Sequence, residues 1–222
     1  MPAHSLLLRL AGPMQSWGTQ SRFTDRDTGR EPSKSGVVGL LAAADGRRRW
    51  EAVDDLATLD MAVRVDREGL VHRDYQTVLG VLTADGSGTK TVVSDRYYLA
   101  DAEFLVAVSG PNSALLERLS AALAAPTWPL RLGRAAFVPG VPVHLPDGGV
   151  RPDLDAVAAL KAEPWHPLRV DKPVTRPTQL RAVLEVRPDA GTEQRLDQLW
   201  PGSTFADRRF ISRHVTTEFW DL

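Results

Sequence analysis

Cysteine is absent from all 222 residues, which excludes disulfide bridges, thiolate nucleophiles and cysteine-based zinc sites together. No apolar run approaches the roughly 18 residues that a membrane span needs. The opening stretch, MPAHSLLLRL, lacks the basic start and the length of a secretory signal, so a cytoplasmic location is expected. An excess of one charge is lacking too: the formal net charge is −1, so no uniformly basic field marks a nucleic-acid binder. Lysine is scarce. It stands only at Lys34, Lys90, Lys161 and Lys172, and the chain carries arginine instead. His4, His72, His144, His166 and His214 lie far apart, without metal-ligand spacing such as H-E-x-x-H. Neither G-x-S-x-G nor G-x-G-x-x-G occurs, and there is no internal repeat. No metal and no cofactor is expected.

What is present is an uneven distribution of charge. Residues 1–50 hold eight basic side chains (Arg9, Arg22, Arg26, Arg30, Lys34, Arg47, Arg48, Arg49) against four acidic ones. The planar fork of arginine suits phosphates and stacks on bases, so the bias fits RNA; a GC-rich genome that encodes Arg for Lys fits equally. Within this region Gly29 to Gly36, GREPSKSG, nearly spells the phosphate-binding loop G-x-x-x-x-G-K-[ST]. Lys34-Ser35 supplies its end, but Ser33 stands where the second glycine belongs. The preceding FTDRDT is charged where a P-loop follows a buried strand, so nucleotide hydrolysis is set aside.

Apolar periodicity orders the elements. Ser5 to Leu10 reads as a buried strand, and residues 12–30 as a long polar connection. A helix capped by Ser33 or Ser35 then runs through Val37, Val38, Leu40 and Leu41 to Gly46. Met61 to Val65 and Glu103 to Val108 read as strands, with a helix capped by Asn112 or Ser113 and stopped by Pro126. A closing strand at Val141 to Leu145 completes β-α-β-β-α-β, the ferredoxin-like, split βαβ arrangement of an α+β domain, spanning residues 1–149. That arrangement names no function by itself. Between the second and third strands, residues 67–98 read as a projecting β-hairpin arm with its turn at Ala84-Asp85-Gly86-Ser87-Gly88. Its base carries His72, Arg73, Tyr75, Arg96, Tyr97 and Tyr98. Residues 150–222 are proline-rich, with a short helix near 154–161 and a strand near 180–186, and read as a small C-terminal lobe packed on the main domain.

Three features bear on chemistry. The helix start at Ser33-Lys34-Ser35-Gly36 presents unpaired N–H groups that attract anions, or is a plain serine cap. Gly133-Arg134 bends the backbone against a ligand and offers a guanidinium fork, or is a turn with an exposed arginine. Trp17 stacks on a base or packs under its loop. Asp25-Arg26-Asp27 and Asp54-Asp55 read as solvated loop charge. His72, Tyr75 or Lys90 on the arm supplies the general base for metal-independent RNA cleavage, if there is any.

LLLRLAGPMQSWG (Leu6 to Gly18), EPSKSGVVGLLAAADG (Glu31 to Gly46), RYYLADAEFLVAV (Arg96 to Val108), LGRAAFVPGVPV (Leu132 to Val143) and RRFISRHV (Arg208 to Val215), in this order, resemble the CasD family of type I-E CRISPR Cascade subunits. The resemblance implies a RAMP-type, RRM-like ferredoxin fold whose arm is a thumb. It implies a non-catalytic subunit that binds the 5′ handle of the CRISPR RNA in antiviral defence and helps dock the large subunit. Its partners would be the handle, the CasC-type backbone subunit, the CasA-type large subunit and, indirectly, target DNA, with no membrane. The arm would wedge handle from guide. The alternative is a metal-independent endoribonuclease of repeat RNA, as in a type I-C relative. The RNA contacts the resemblance points to are Gly12, Met14, Gln15, Trp17, Arg22, Arg30, Ser33, Lys34, Ser35, Gly36, Arg73, Tyr75, Gly133 and Arg134. One departure is Ala135-Ala136, where many relatives carry a basic residue and a cysteine.

Overall fold

β1 (His4–Ala11) is apolar on both faces, and each face serves a different core. Leu6, Leu8 and Leu10 belong to one cluster and Leu7 to another, so the strand reads as a continuous apolar run without alternation. The computed structural model describes residues 3–20, 24–165 and 176–222. After β1 come β2 (Met14–Gln15), β3 (Asp25–Arg26), α1 (Lys34–Ala44), α2 (Asp54–Ala57), β4 (Asp60–Arg67), β5 (Leu70–Leu82), β6 (Thr89–Ala100), β7 (Glu103–Gly110) and α3 (Ser113–Ala124). The chain continues through β8 (Val150–Arg151), α4 (Ala156–Ala162), β9 (Gln179–Val186), β10 (Glu193–Leu199) and β11 (Phe210–Asp221).

Seven strands form one antiparallel sheet in the order β10-β11-β9-β4-β7-β1-β8. β4 and β7 repeat the logic of β1: Met61, Val63, Val65, Phe104, Val106 and Val108 face α1 and α3, while Ala62, Leu105 and Ala107 face α4. Arg64 lies on the α4 side, only 3% exposed. Its guanidinium donates to the carbonyls of Leu160, Glu163 and Pro164, which have no partner within the helix, and pairs with Asp66 at 2.7 Å. Both long helices start on side-chain caps, the Ser33 hydroxyl accepting from Gly36 N–H and the Asn112 side chain from Leu115 N–H. α1 ends on Gly46 at φ +79°, with Arg47 N–H reaching back to the Ala42 carbonyl.

The strand expected at Val141 to Leu145 does not form. Pro139, Pro142 and Pro146 lack the N–H groups of a ladder, so this stretch keeps one bridge, Leu8 to His144, and one bond from Arg9 N–H to the Val143 carbonyl. The edge beside β1 is taken by β8. The connection over residues 12–30 is also less free than its polarity suggests. β2 and β3 both bind the edge of β6 that β5 leaves free, through Met14–Ala100 and Gln15–Leu99 and, further along, Asp25–Asp95 and Arg26–Arg96. Two-residue pairings carry no periodicity for a sequence reading to detect.

β5 and β6 form the arm, paired from Leu70–Ala100 to Leu82–Thr89 with a bulge between Val78 and Val81. Its turn closes through Thr83 N–H to the Gly88 carbonyl. β9, β11 and β10 continue the main sheet outward from β4.

Candidate nucleic-acid interface

The start of α1 rests on Trp17. The indole is 2% exposed, donates from Nε1 to Gln15 Oε1 at 3.1 Å, and lies so close to Gly36 that an added Cβ would stand 2.9 Å from a ring carbon. Gln15, fully buried, donates in turn to the carbonyls of Leu10 and Ala102. Of the two readings of Trp17, packing beneath its loop is the one its burial fits, and Gln15 has its hydrogen bonds inside the protein.

Lys34 points inward. Its ammonium sits 2.6 Å from Glu185 Oε1 and its side chain is 3% exposed, while its backbone N–H donates to Asp197 Oδ2 at 2.8 Å. Asp197 is gripped by Arg213 at 2.7 and 3.0 Å. The first orphan N–H of α1 thus already faces a carboxylate from β10. No sequence signal reveals this link, because its partners lie some 150 residues away.

Beside this buried foundation opens a cleft of about 280 Å³, lined by Ser33, Ser35 and Gly36 of α1 together with Arg26, Arg134, Phe205 and Phe210. The loop that carries Arg134 is locked in place. Ser16 N–H donates to the Leu132 carbonyl, and Gly133, at φ +91°, passes so close to Ser16 that a Cβ would overlap its carbonyl oxygen. The guanidinium of Arg134 stacks over Phe137 at 5.6 Å and donates from Nη2 to the carbonyls of Arg26 (2.9 Å) and Asp27 (3.3 Å). Its Nη1 is buried with no hydrogen-bond partner among the described residues. Burial, then the nearby charge of Arg96, holds this guanidinium below the usual arginine pKa. An unpartnered charged donor is costly unless something accepts from it. Asp27, the one acid among the described residues that line the cleft, accepts backbone N–H groups of Thr19 and Gln20.

The cleft therefore gathers Trp17, Ser33, Ser35, Gly36, Gly133 and Arg134 from the expected set. The others lie elsewhere. Gly12 lines a separate dent with Arg67 and Asp101, its backbone tight against Val138 and Gly140. Met14 is half-buried against the core. Arg30 is exposed, and Arg73 and Tyr75 sit on the exposed arm, Arg73 at 3.7 Å from Asp95. Arg22 falls outside the described residues. His72 stacks on Tyr98 at 5.7 Å on the opposite face of the arm from Arg73. The cleft adds Arg26, Phe205 and Phe210 to the expected residues. Arg26 hides in a stretch that reads as solvated charge, and the two phenylalanines come from a segment with no binding signature. Among the described residues no group of three His, Asp or Glu side chains is placed to hold a metal, and no helix is long and apolar enough to cross a membrane.

The family described as CRISPR-associated protein (Cas_Cas5) matches residues 5–216. A protein of Escherichia coli (strain K12), CRISPR system Cascade subunit CasD, is 39% identical over 145 residues, covering 58% of this chain and 64% of that protein. The matched stretch thus spans somewhat less than two thirds of that relative. A structure described as "Crystal structure of Cas protein" superposes with a TM-score of 0.76 at 42% identity, covering 98% of this chain and 95% of the other. A chain of a "CRISPR RNA-guided surveillance complex" gives 0.77 at 35%, covering 98% and 90%.

Proposed function

The chain belongs to the Cas5 family of CRISPR-associated proteins, and from that membership we propose that it is a non-catalytic Cascade subunit that holds the 5′ handle of a CRISPR RNA. The observation that carries the reading is the cleft at the start of α1, which Arg26 and Arg134 both line and where Arg134 Nη1 has no acceptor among the described residues. Single-stranded RNA is held by phosphate contacts and by splayed bases stacked on flat side chains. The cleft offers both, with Phe205 and Phe210 forming its apolar wall. The likeness of 98% of the chain to a subunit of an RNA-guided complex supports the same reading. The CasC-type backbone and the CasA-type large subunit are the proposed neighbours, in the cytoplasm, with target DNA met indirectly.

The strand order β8-β1-β7-β4, with α1 and α3 crossing on one face, supports a ferredoxin-like, RAMP-type body. The β5–β6 arm is then its thumb. Exposed Val78, Leu79 and Leu82 fit a thumb that buries apolar surface only in an assembly.

Binding of a fluorescent single-stranded repeat RNA, followed against salt concentration, tests the handle-binding role. Arg26→Ala with Arg134→Ala is expected to weaken binding and flatten the log–log salt slope by roughly 0.7 for each lost phosphate contact. Unchanged affinity and slope would remove the cleft from the reading. The RNA is expected to stay intact in EDTA; site-specific cutting would favour the endoribonuclease instead.

A further inference from the structure

A second groove, of about 500 Å³, lies on the same exposed side of α1. Its floor is Gly39 and Ala43, and its walls include Arg48, Trp50, Trp128 and Phe205. Trp50 is 65% exposed and Trp128 47%, as open as Trp200 outside the groove, whereas Trp17 is almost wholly covered. Arg48 lies 5.4 Å over the Trp50 ring. Trp128 is anchored to the last turn of α1 by its backbone N–H on the Ala43 carbonyl, and the carbonyl of Phe205 accepts from Arg49. These rings stand on fixed backbone.

Two observations say what such a groove takes. Among the described residues no acid lines it, and of its three arginines Arg47 is paired with Asp45 and Asp55 while Arg48 and Arg49 form no ion pair, so it keeps two unpaired cations that suit a polyanion. It also adjoins the cleft: Phe205 lines both, its ring lying against Gly39, where an added Cβ would come within 3.3 Å. Gly36, Gly39 and Ala43 follow one another at i, i+3 and i+7, which is one face of the helix. From Ser33 to Ala43 this face runs about 15 Å, longer than one base can cover.

We infer that the groove is a stacking platform for single-stranded RNA, in which Trp50 and Trp128 receive bases of a strand that leaves the cleft over Phe205 and runs along α1. The inference rests on the RNA-binding reading above and extends it to residues that nothing in the expected set includes. Indoles give stacking area at any base, and Arg48 and Arg49 meet the backbone phosphates.

The test uses the full chain and an oligouridylate of about 12 nucleotides, within the range single-stranded binding surfaces occupy. Trp50→Ala with Trp128→Ala is expected to weaken binding about thirtyfold or more with the salt slope unchanged, because stacking releases no counterions. Trp50→Phe with Trp128→Phe, which keeps flat rings and controls for folding, is expected to bind within about twofold of the parent. If the alanine pair binds like the parent while Arg26→Ala with Arg134→Ala weakens binding, the platform is wrong and the cleft stands. If the parent binds no single-stranded RNA, both readings fall. If the alanine pair binds RNA normally yet no longer joins the other subunits, the face belongs to a protein partner and the inference is overturned.

Discussion

The residue that most misleads a reader of this sequence is Lys34. Its place between Ser33 and Ser35 at a helix start suggests a phosphate ligand, but its ammonium lies against Glu185 inside the protein. Removing one partner of a buried pair leaves the other charge stranded, which typically costs about 3–5 kcal/mol. Lys34→Ala is therefore expected to lower the unfolding free energy, read from urea titrations, by an amount of that order. Lys34→Met with Glu185→Leu should recover part of the loss, since an apolar pair leaves no charge unmatched. A Lys34→Ala protein of parental stability whose RNA binding has a flatter salt slope would put the ammonium back at the surface. Arg134 shows the reverse case. The sequence alone cannot separate it from any turn arginine, and only the meeting of its loop with Ser16 and Arg26 gives it a site.

At the scale of elements, the arm was legible because β-prone runs flank a turn around Asp85-Gly86, and the structure pairs them as a hairpin. Its outer part makes little of the fold: Val78, Leu79 and Leu82 are exposed, while Tyr98 at the base packs on Phe137 and His72. Replacing residues 78–92 with an Asn-Gly turn is expected to leave the melting temperature within about 2 °C of the parent, as for changes to exposed surface. A fall of more than about 5 °C would show that the outer arm supports the body. The stretch Val141 to Leu145 teaches the opposite lesson. Its valines suggest a strand, but three prolines deny it a ladder, and two residues further on take the place beside β1.

Over the whole molecule, charged side chains tie distant segments together. Glu31 meets Arg181 at 2.9 Å and Arg195 at 3.0 Å, and Arg47 holds Asp55 with both ends of its fork at 2.5 and 2.6 Å. The hydrogen bonds from Arg47 hold the Asp55 carboxyl below the usual carboxylate range. A carboxyl whose pKa is lower folded than unfolded stabilises the fold above its unfolded value, near 4, and loses that contribution as pH falls through the folded value. The stability gap between the parent and Asp55→Asn is therefore expected to be full at neutral pH and to close in acid below about pH 4, as read from urea midpoints across pH. A gap that widens in acid would reverse the assignment.

The sequence by itself determined α1, α3, the arm, the strands β1, β4, β7 and β9 and the family pattern, because burial periodicity, capping serine and asparagine, and turn glycines act over a few residues. Each of these elements is a local statement of that kind. Which charged groups face inward was decided by tertiary structure alone. Lys34, Arg64 and Arg213 look like any surface cation in the sequence, and each is buried only because a carboxylate or a row of carbonyls from a remote segment arrives to receive it. The cleft has the same origin: Arg26, the start of α1, Arg134 and Phe205 become one surface only when the sheet brings their segments together.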